Sequence, residues 1–203
     1  MSQSNFLNRD LALSFEVLTS PFYQEVCHHL LFDLFCSTRE AERNPQAIFD
    51  LQIQVSILLR AFQKLKAEAK RGNDQIELAT TKRLIVILQQ IMDALAWRVL
   101  EYDRAKILLM SDHHNTGHLD ETILDDLIKA KRIVDNNNAI VLVNDLTNIL
   151  RYGDLTIIQS GTIDIRENKS GNASGRNPRV RDQQRNLNKL NEFLKIGTLC
   201  ASS

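Results

Sequence analysis

Two hydrophobic periods divide this chain, and the switch between them limits what it can fold into. Through the first two thirds, apolar residues recur every three or four positions, the spacing of a helix face; beyond Gly153 they partly alternate, the spacing of a strand. An α+β protein is expected, with a mostly helical N-terminal region over residues 1–135 and a small β-hairpin and helix module over residues 136–203.

The helices follow from this spacing. Val26, Leu30, Leu31, Leu34 and Phe35 mark a first one between Phe22 and Cys36, with Thr19 or Ser20 and then Pro21 supplying its start. Pro45 opens a second, whose broad apolar stripe includes Ile48, Leu51, Val55, Leu59 and Phe62 and which ends in the charged stretch before Gly72. A third is predicted from about Ile76 to Met110, through Leu84, Leu88, Ile91, Leu95 and Val99. The polar run SDHHNTGHLD reads as a loop and is followed by a short helix from about Glu121 to Val134, after which Asn136, Asn137 and Asn138 punctuate the chain. The next segment, AIVLVNDLTNILRYG, reads either as a strand running into a helix or as one helix capped by Asn138. The spacing of Ile140, Val143, Leu146 and Ile149 or Leu150 favours the helix.

Beyond Gly153, Asp154 to Ile158 and Thr162 to Lys169 are two β-rich runs joined by Ser160-Gly161, the signature of a hairpin. With those two as the turn, Gln159 pairs with Thr162, Ile158 with Ile163, Thr156 with Ile165 and Asp154 with Glu167. Opposed residues share a face with Cβ atoms about 4.5–5.5 Å apart, and the period of two puts Lys169 on the same face. Two carboxylates and an ammonium thus converge. Carboxylates so close repel unless a cation lies between them, and hard oxygen ligands suit Mg²⁺ or Mn²⁺. Such a centre can activate water against a phosphodiester, with Lys169 orienting the water or stabilising developing charge. A Gly-, Asn- and Ser-rich loop from Ser170 to Pro178 leads to a last helix, from about Arg179 to Lys195, with Val180, Leu187, Leu190, Phe193 and Leu194 on its apolar side.

At these positions, in GDLTIIQSGTIDIRENKSG, the chain resembles the PD-(D/E)xK nuclease superfamily, with Asp154 as the first acid and Glu167 and Lys169 as the E-x-K. The resemblance covers residues of about 140–195 and implies a restriction-endonuclease-like core that hydrolyses nucleic acid, DNA favoured, with Mg²⁺ or Mn²⁺ on Asp154 and Glu167. It also implies the Ile165 or Asn168 carbonyl as a further ligand. Some branches place a Gln near the site from the next helix, which here is Gln183 or Gln184. Many members carry an acid on the helix before the first strand, for which Asp145 is the nearest candidate. The family core ends in another strand; only Ile196 to Ser203 come after the last helix, so the module is expected to be a shortened form or part of a longer chain.

Around the hairpin, Arg166, Arg176, Arg179, Arg181 and Arg185 form a local basic surface suited to phosphates. The whole chain provides none, since its 25 Lys and Arg balance 25 Asp and Glu. The competing reading makes these charges a solvated face. It leaves a catalytically inactive nuclease fold whose helical region serves as an interaction or scaffold module, binding a protein partner or a second copy.

Other clusters are weaker. His113, His114 and His118 with Asp112 and Asp120 lack a recognised zinc-ligand spacing, and Cys27, His28, His29 and Cys36 lie on an apolar helix where packing accounts for them. Trp97 has apolar neighbours at helical spacing and is expected in the core. No Walker A loop, dinucleotide fingerprint or G-x-S-x-G elbow is present. Three cysteines are too few and too odd for a disulfide framework, and no signal peptide or apolar run of about 20 residues appears, so a cytoplasmic protein without membrane insertion is expected.

Overall fold

The computed structural model describes residues 13–111, 122–167, 188–192 and 194. Helix α1 (residues 13–19) leads into α2 (Pro21–Glu25), a π-helical turn (Val26–Leu31) and α3 (Phe32–Glu40), so the first predicted helix is present but carries a wide turn in its middle. Helix α4 (Pro45–Gly72) begins where the Asn44 side chain accepts from the Gln46 and Ala47 N–H groups, and stops at Asn73, whose left-handed backbone breaks the helical run. Asp74 then caps α5 (Gln75–Val99) by accepting from the Glu77 N–H. The two long helices form the body: Ile48, Val55 and Leu59 of α4 and Leu84, Leu88, Met92 and Leu95 of α5 are completely buried. Each such side chain contributes about 1.5–3 kcal/mol of transfer free energy.

The third predicted helix is two. Leu100 ends α5, Glu101 and Tyr102 take left-handed backbone angles, and α6 (Arg104–Ser111) restarts where Asp103 accepts from the Ala105 and Lys106 N–H groups. The apolar spacing runs unbroken across this point, so only Asp103 hinted at the restart. Helix α7 (Thr122–Asn137) ends at Asn138, which is left-handed and so terminates α7 instead of capping a new helix.

The chain continues from Asn138 into a strand, β1 (Ile140–Val143), and a 3₁₀ turn (Asn144–Leu146); this corrects the helix favoured for this segment. All four β1 residues are buried, and a continuous apolar run bounded by Asn138 and Asn144 is what a strand covered on both faces requires. The matching spacing of Ile140, Val143 and Leu146 is a coincidence of a short run. Strands β2 (Leu155–Gln159) and β3 (Thr162–Arg166) complete an antiparallel meander in the order β1-β2-β3. Ser160 and Gly161, both at positive φ, make the turn, and the pairing of Gln159 with Thr162, Ile158 with Ile163 and Thr156 with Ile165 is the expected register.

Residues 188–192 and 194 are helical and form α8; Leu190 and Leu194 are buried. One hydrophobic core runs from α4 and α5 through α7 into all three strands and takes in these two leucines. The polar loop expected over residues 112–120 and most of the last helix lie outside the described residues.

Both edges of the sheet are closed by side-chain amides. Gln52, completely buried on α4, donates to the Val141 carbonyl at 2.7 Å and accepts from the Val143 N–H at 2.7 Å, occupying the outer edge of β1. Asn191 of α8 does the same for β3, accepting from the Ile165 N–H at 2.8 Å and donating to its carbonyl at 3.0 Å. Each amide supplies the donor and acceptor that a further strand would have offered.

Candidate metal centre at the open end of the hairpin

The end of the sheet away from the Ser160-Gly161 turn collects carboxylates. Asp154 stands immediately before β2 and Glu167 immediately after β3, each next to the Leu155–Arg166 pair that closes the ladder. The backbone ties this end together: the Asp154 N–H donates to the Arg166 carbonyl at 2.8 Å, and the Asn144 N–H donates to the Asp154 carbonyl at 2.9 Å. Gly153 makes the approach feasible. Its φ is +63°, and a Cβ there would stand 2.7 Å from the Arg166 carbonyl oxygen and 2.8 Å from the Ile165 Cγ2.

Beneath the carboxylates lies a satisfied polar floor. Asn144, 1% exposed, accepts from the Thr156 hydroxyl at 2.8 Å and donates to the Tyr152 and Gly153 carbonyls. The loop from β1 to β2 is pinned from the other side by Asp93 of α5, which accepts from the Asn148 backbone N–H and side-chain amide. Burial pushes the Asp93 carboxyl above the usual range, against the pull of the Asn148 donors. Asp154 and Glu167 are both half-buried, and one Glu167 oxygen, Oε2, is buried with no hydrogen-bond partner among the described residues. A buried acceptor of that kind costs about 1–3 kcal/mol or more if left bare, so it marks a place for a donor or a cation.

Asp145 lies in the 3₁₀ turn after β1, and not on the helix before the first strand. The buried acid on that helix is Asp126 of α7, 4% exposed. Burial, then the charge of Asp126, pushes the Asp145 carboxyl up, so the two acids feel each other across the gap between α7 and the turn. Sequence reasoning passed over Asp126 because its proximity is tertiary. Asn191 and Gln52 did leave a trace, as polar residues within apolar helical stripes.

Among the described residues, no three His, Cys, Asp or Glu side chains stand together so that they could hold a metal ion. Arg166 is exposed and turns to Asp164, donating from Nε at 2.8 Å. Asn168, Lys169, Gln183 and Gln184, with Arg176, Arg179, Arg181 and Arg185, lie outside the described residues, as do His113, His114, His118, Asp112, Asp120 and Cys200. Cys27 and Cys36 are half-buried free thiols, His28 and His29 lie in the π-helical turn, and Trp97 packs partly buried against the core.

Comparison with protein-family models, curated proteins and solved structures finds no match to this chain. Among the described residues, no helix is long and apolar enough to cross a membrane.

Proposed function

We propose that the open end of the hairpin is the centre of a metal-dependent phosphodiesterase acting on nucleic acid, with DNA favoured. The observation that carries this reading is the buried Oε2 of Glu167, without a hydrogen-bond partner among the described residues, at the end of the ladder where Asp154 also stands. Two hard carboxylates, that of Asp154 carried on backbone tied to Arg166 and Asn144, fit Mg²⁺ or Mn²⁺, which take oxygen donors and retain open positions. When bound there, such an ion lowers the pKa of water and offsets charge on a phosphodiester. Asp154 and Glu167 would hold it, with the Asn168 carbonyl as a further donor, since the Ile165 carbonyl already accepts from the Asn191 amide.

Lys169, two residues after Glu167 in the chain, would orient the attacking water or stabilise charge on the phosphoryl oxygens, and Gln183 or Gln184 would support it. Asp126 takes the upstream acid's place that the family pattern assigns, with Asp145 coupled to it. Arg166, Arg176, Arg179, Arg181 and Arg185 supply phosphate contacts that position a strand without reading its sequence.

A second reading, a catalytically silent scaffold, draws on a different observation. Helices α1 to α3 expose Phe15, Phe22, Phe32 and Phe35, an apolar surface that suits a protein partner.

The test is cleavage of plasmid, linear and single-stranded DNA, and of RNA, with Mg²⁺ or Mn²⁺. Metal-dependent cleavage by the wild type, reduced at least about a hundredfold in Lys169→Ala, is expected. Equal turnover by the two proteins removes Lys169 from the reaction, and no cleavage by either rejects the enzyme and leaves the scaffold.

A further inference from the structure

At the opposite end of the same hairpin, a cleft of about 320 Å³ opens between the Ser160-Gly161 turn, the start of α4 and the break between α5 and α6. Its floor is apolar and largely buried, built from Ile140, Ile158 and Ile163 of the three strands with Val99 and Leu100 of α5. Its rim holds two cations, Arg43 and Lys106, against one carboxylate, Glu101.

Backbone in a costly conformation frames the opening. Glu101, Tyr102, Asn138 and Ser160 are all at positive φ, and Glu101, Asn138 and Ser160 line the cleft. Left-handed Glu and Tyr in succession cost of order 1–3 kcal/mol each, which the surrounding packing sustains. Two bonds fix this break, from the Glu101 N–H to the Arg98 carbonyl and from the Tyr102 N–H to the Trp97 carbonyl. A third tie holds the hairpin turn against the end of α7, where the Gln159 amide donates to the Asn137 carbonyl at 3.0 Å. The cleft is thus built by three separate chain reversals and held open from three sides.

The two cations are held differently. Arg43 pairs with Glu101, and their side chains are 55% and 64% exposed; Lys106 pairs with Asp103 at 3.2 Å in a half-buried pair, 21% and 35% exposed. An exposed pair such as Arg43–Glu101 contributes about 0–1 kcal/mol, so a ligand anion can exchange for Glu101, while Lys106 stays beside Asp103 and adds its charge to the rim. The apolar floor below them takes the rest of a ligand, the usual division of labour in a small-molecule site.

We propose that this cleft binds a small amphiphilic anion, a phosphate monoester or carboxylate on a compact apolar or aromatic body, with the anion between Arg43 and Lys106 and the body on Ile140, Ile158 and Ile163. The site is separate from the carboxylate end of the hairpin and does not depend on its chemistry. Arg43 can engage two oxygens of the head group, and Lys106 adds a point charge.

The experiment is methyl NMR of the full chain, following Ile140, Ile158 and Ile163 during titration with phenyl phosphate and, separately, benzoate. Inorganic phosphate and benzyl alcohol supply the head and the body alone. Saturable shifts of these methyls with phenyl phosphate or benzoate are expected, and which of the two binds tighter decides between phosphate and carboxylate. The separated parts should bind at least about tenfold more weakly, as should the full probes to Arg43→Gln or Lys106→Gln. The absence of saturable shifts with either probe would overturn the proposal, as would shifts of unchanged affinity in both variants.

Discussion

The two ends of the β2–β3 hairpin use one set of strand residues to opposite effect. At the turn end the register brings Ile158 and Ile163 together as an apolar floor beneath two cations; at the open end, four residues further along each strand, stand Asp154 and Glu167. The turn end is shaped by backbone reversals at Glu101, Asn138 and Ser160, and its charges are paired. At the open end a glycine brings the strands into close contact, and a carboxylate oxygen is buried without a partner among the described residues. The difference shows how one short hairpin can carry an apolar core at one end and carboxylates at the other, the outcome being decided by where the polar residues fall along it.

The strongest way to break that contrast is at Gly153. Gly153→Ala forces a Cβ into the Arg166 carbonyl and imposes a left-handed angle on alanine. A loss of about 2 kcal/mol or more in urea-denaturation stability is expected, together with loss of any stabilisation by Mg²⁺. Binding of phenyl phosphate at the turn end should survive, since that end is tied independently through Gln159. Loss of both responses together would show the two ends to be one mechanical unit.

A smaller effect sharpens the electrostatic side. Because the Asp145 carboxyl is pushed up by burial and then by Asp126, its charged form is disfavoured in the folded state. The resulting penalty is present above the raised folded pKa and disappears below the unfolded one. Asp145→Asn should therefore raise stability at neutral pH by roughly a few tenths of a kcal/mol, solvent screening at this partly exposed carboxyl keeping the gain small. The gain should fade as pH drops through the carboxylate range, measured by denaturation at pH 7 and pH 3. A gain independent of pH would remove the repulsion with Asp126 as its cause.

The hairpin was legible in the sequence because everything that sets it is local: a Ser-Gly turn, alternating flanks and a register counted outward from the turn. The placing of Asp154 and Glu167 at the open end of the hairpin follows from that count alone. Strand β1 was not legible, because its pairing with β2 is tertiary and its four apolar residues happened to fit a helical spacing as well. The break at Glu101 and Tyr102 was hidden since neither residue favours a left-handed backbone, and the apolar stripe continues across it. Nor could the sequence reveal that Gln52 and Asn191 close the two sheet edges, although each stood out as a polar residue in an apolar stripe. Asp126 likewise gains its meaning only from the packing of α7 beside the turn after β1.

Whether Asp154 and Glu167 share a divalent cation is tested most directly by calorimetric titration of the full chain with Mn²⁺ and Mg²⁺. One site is expected, weakened at least about tenfold in Asp154→Asn and again in Glu167→Gln. Absence of binding, or binding that neither substitution alters, would contradict a shared cation at this end of the hairpin.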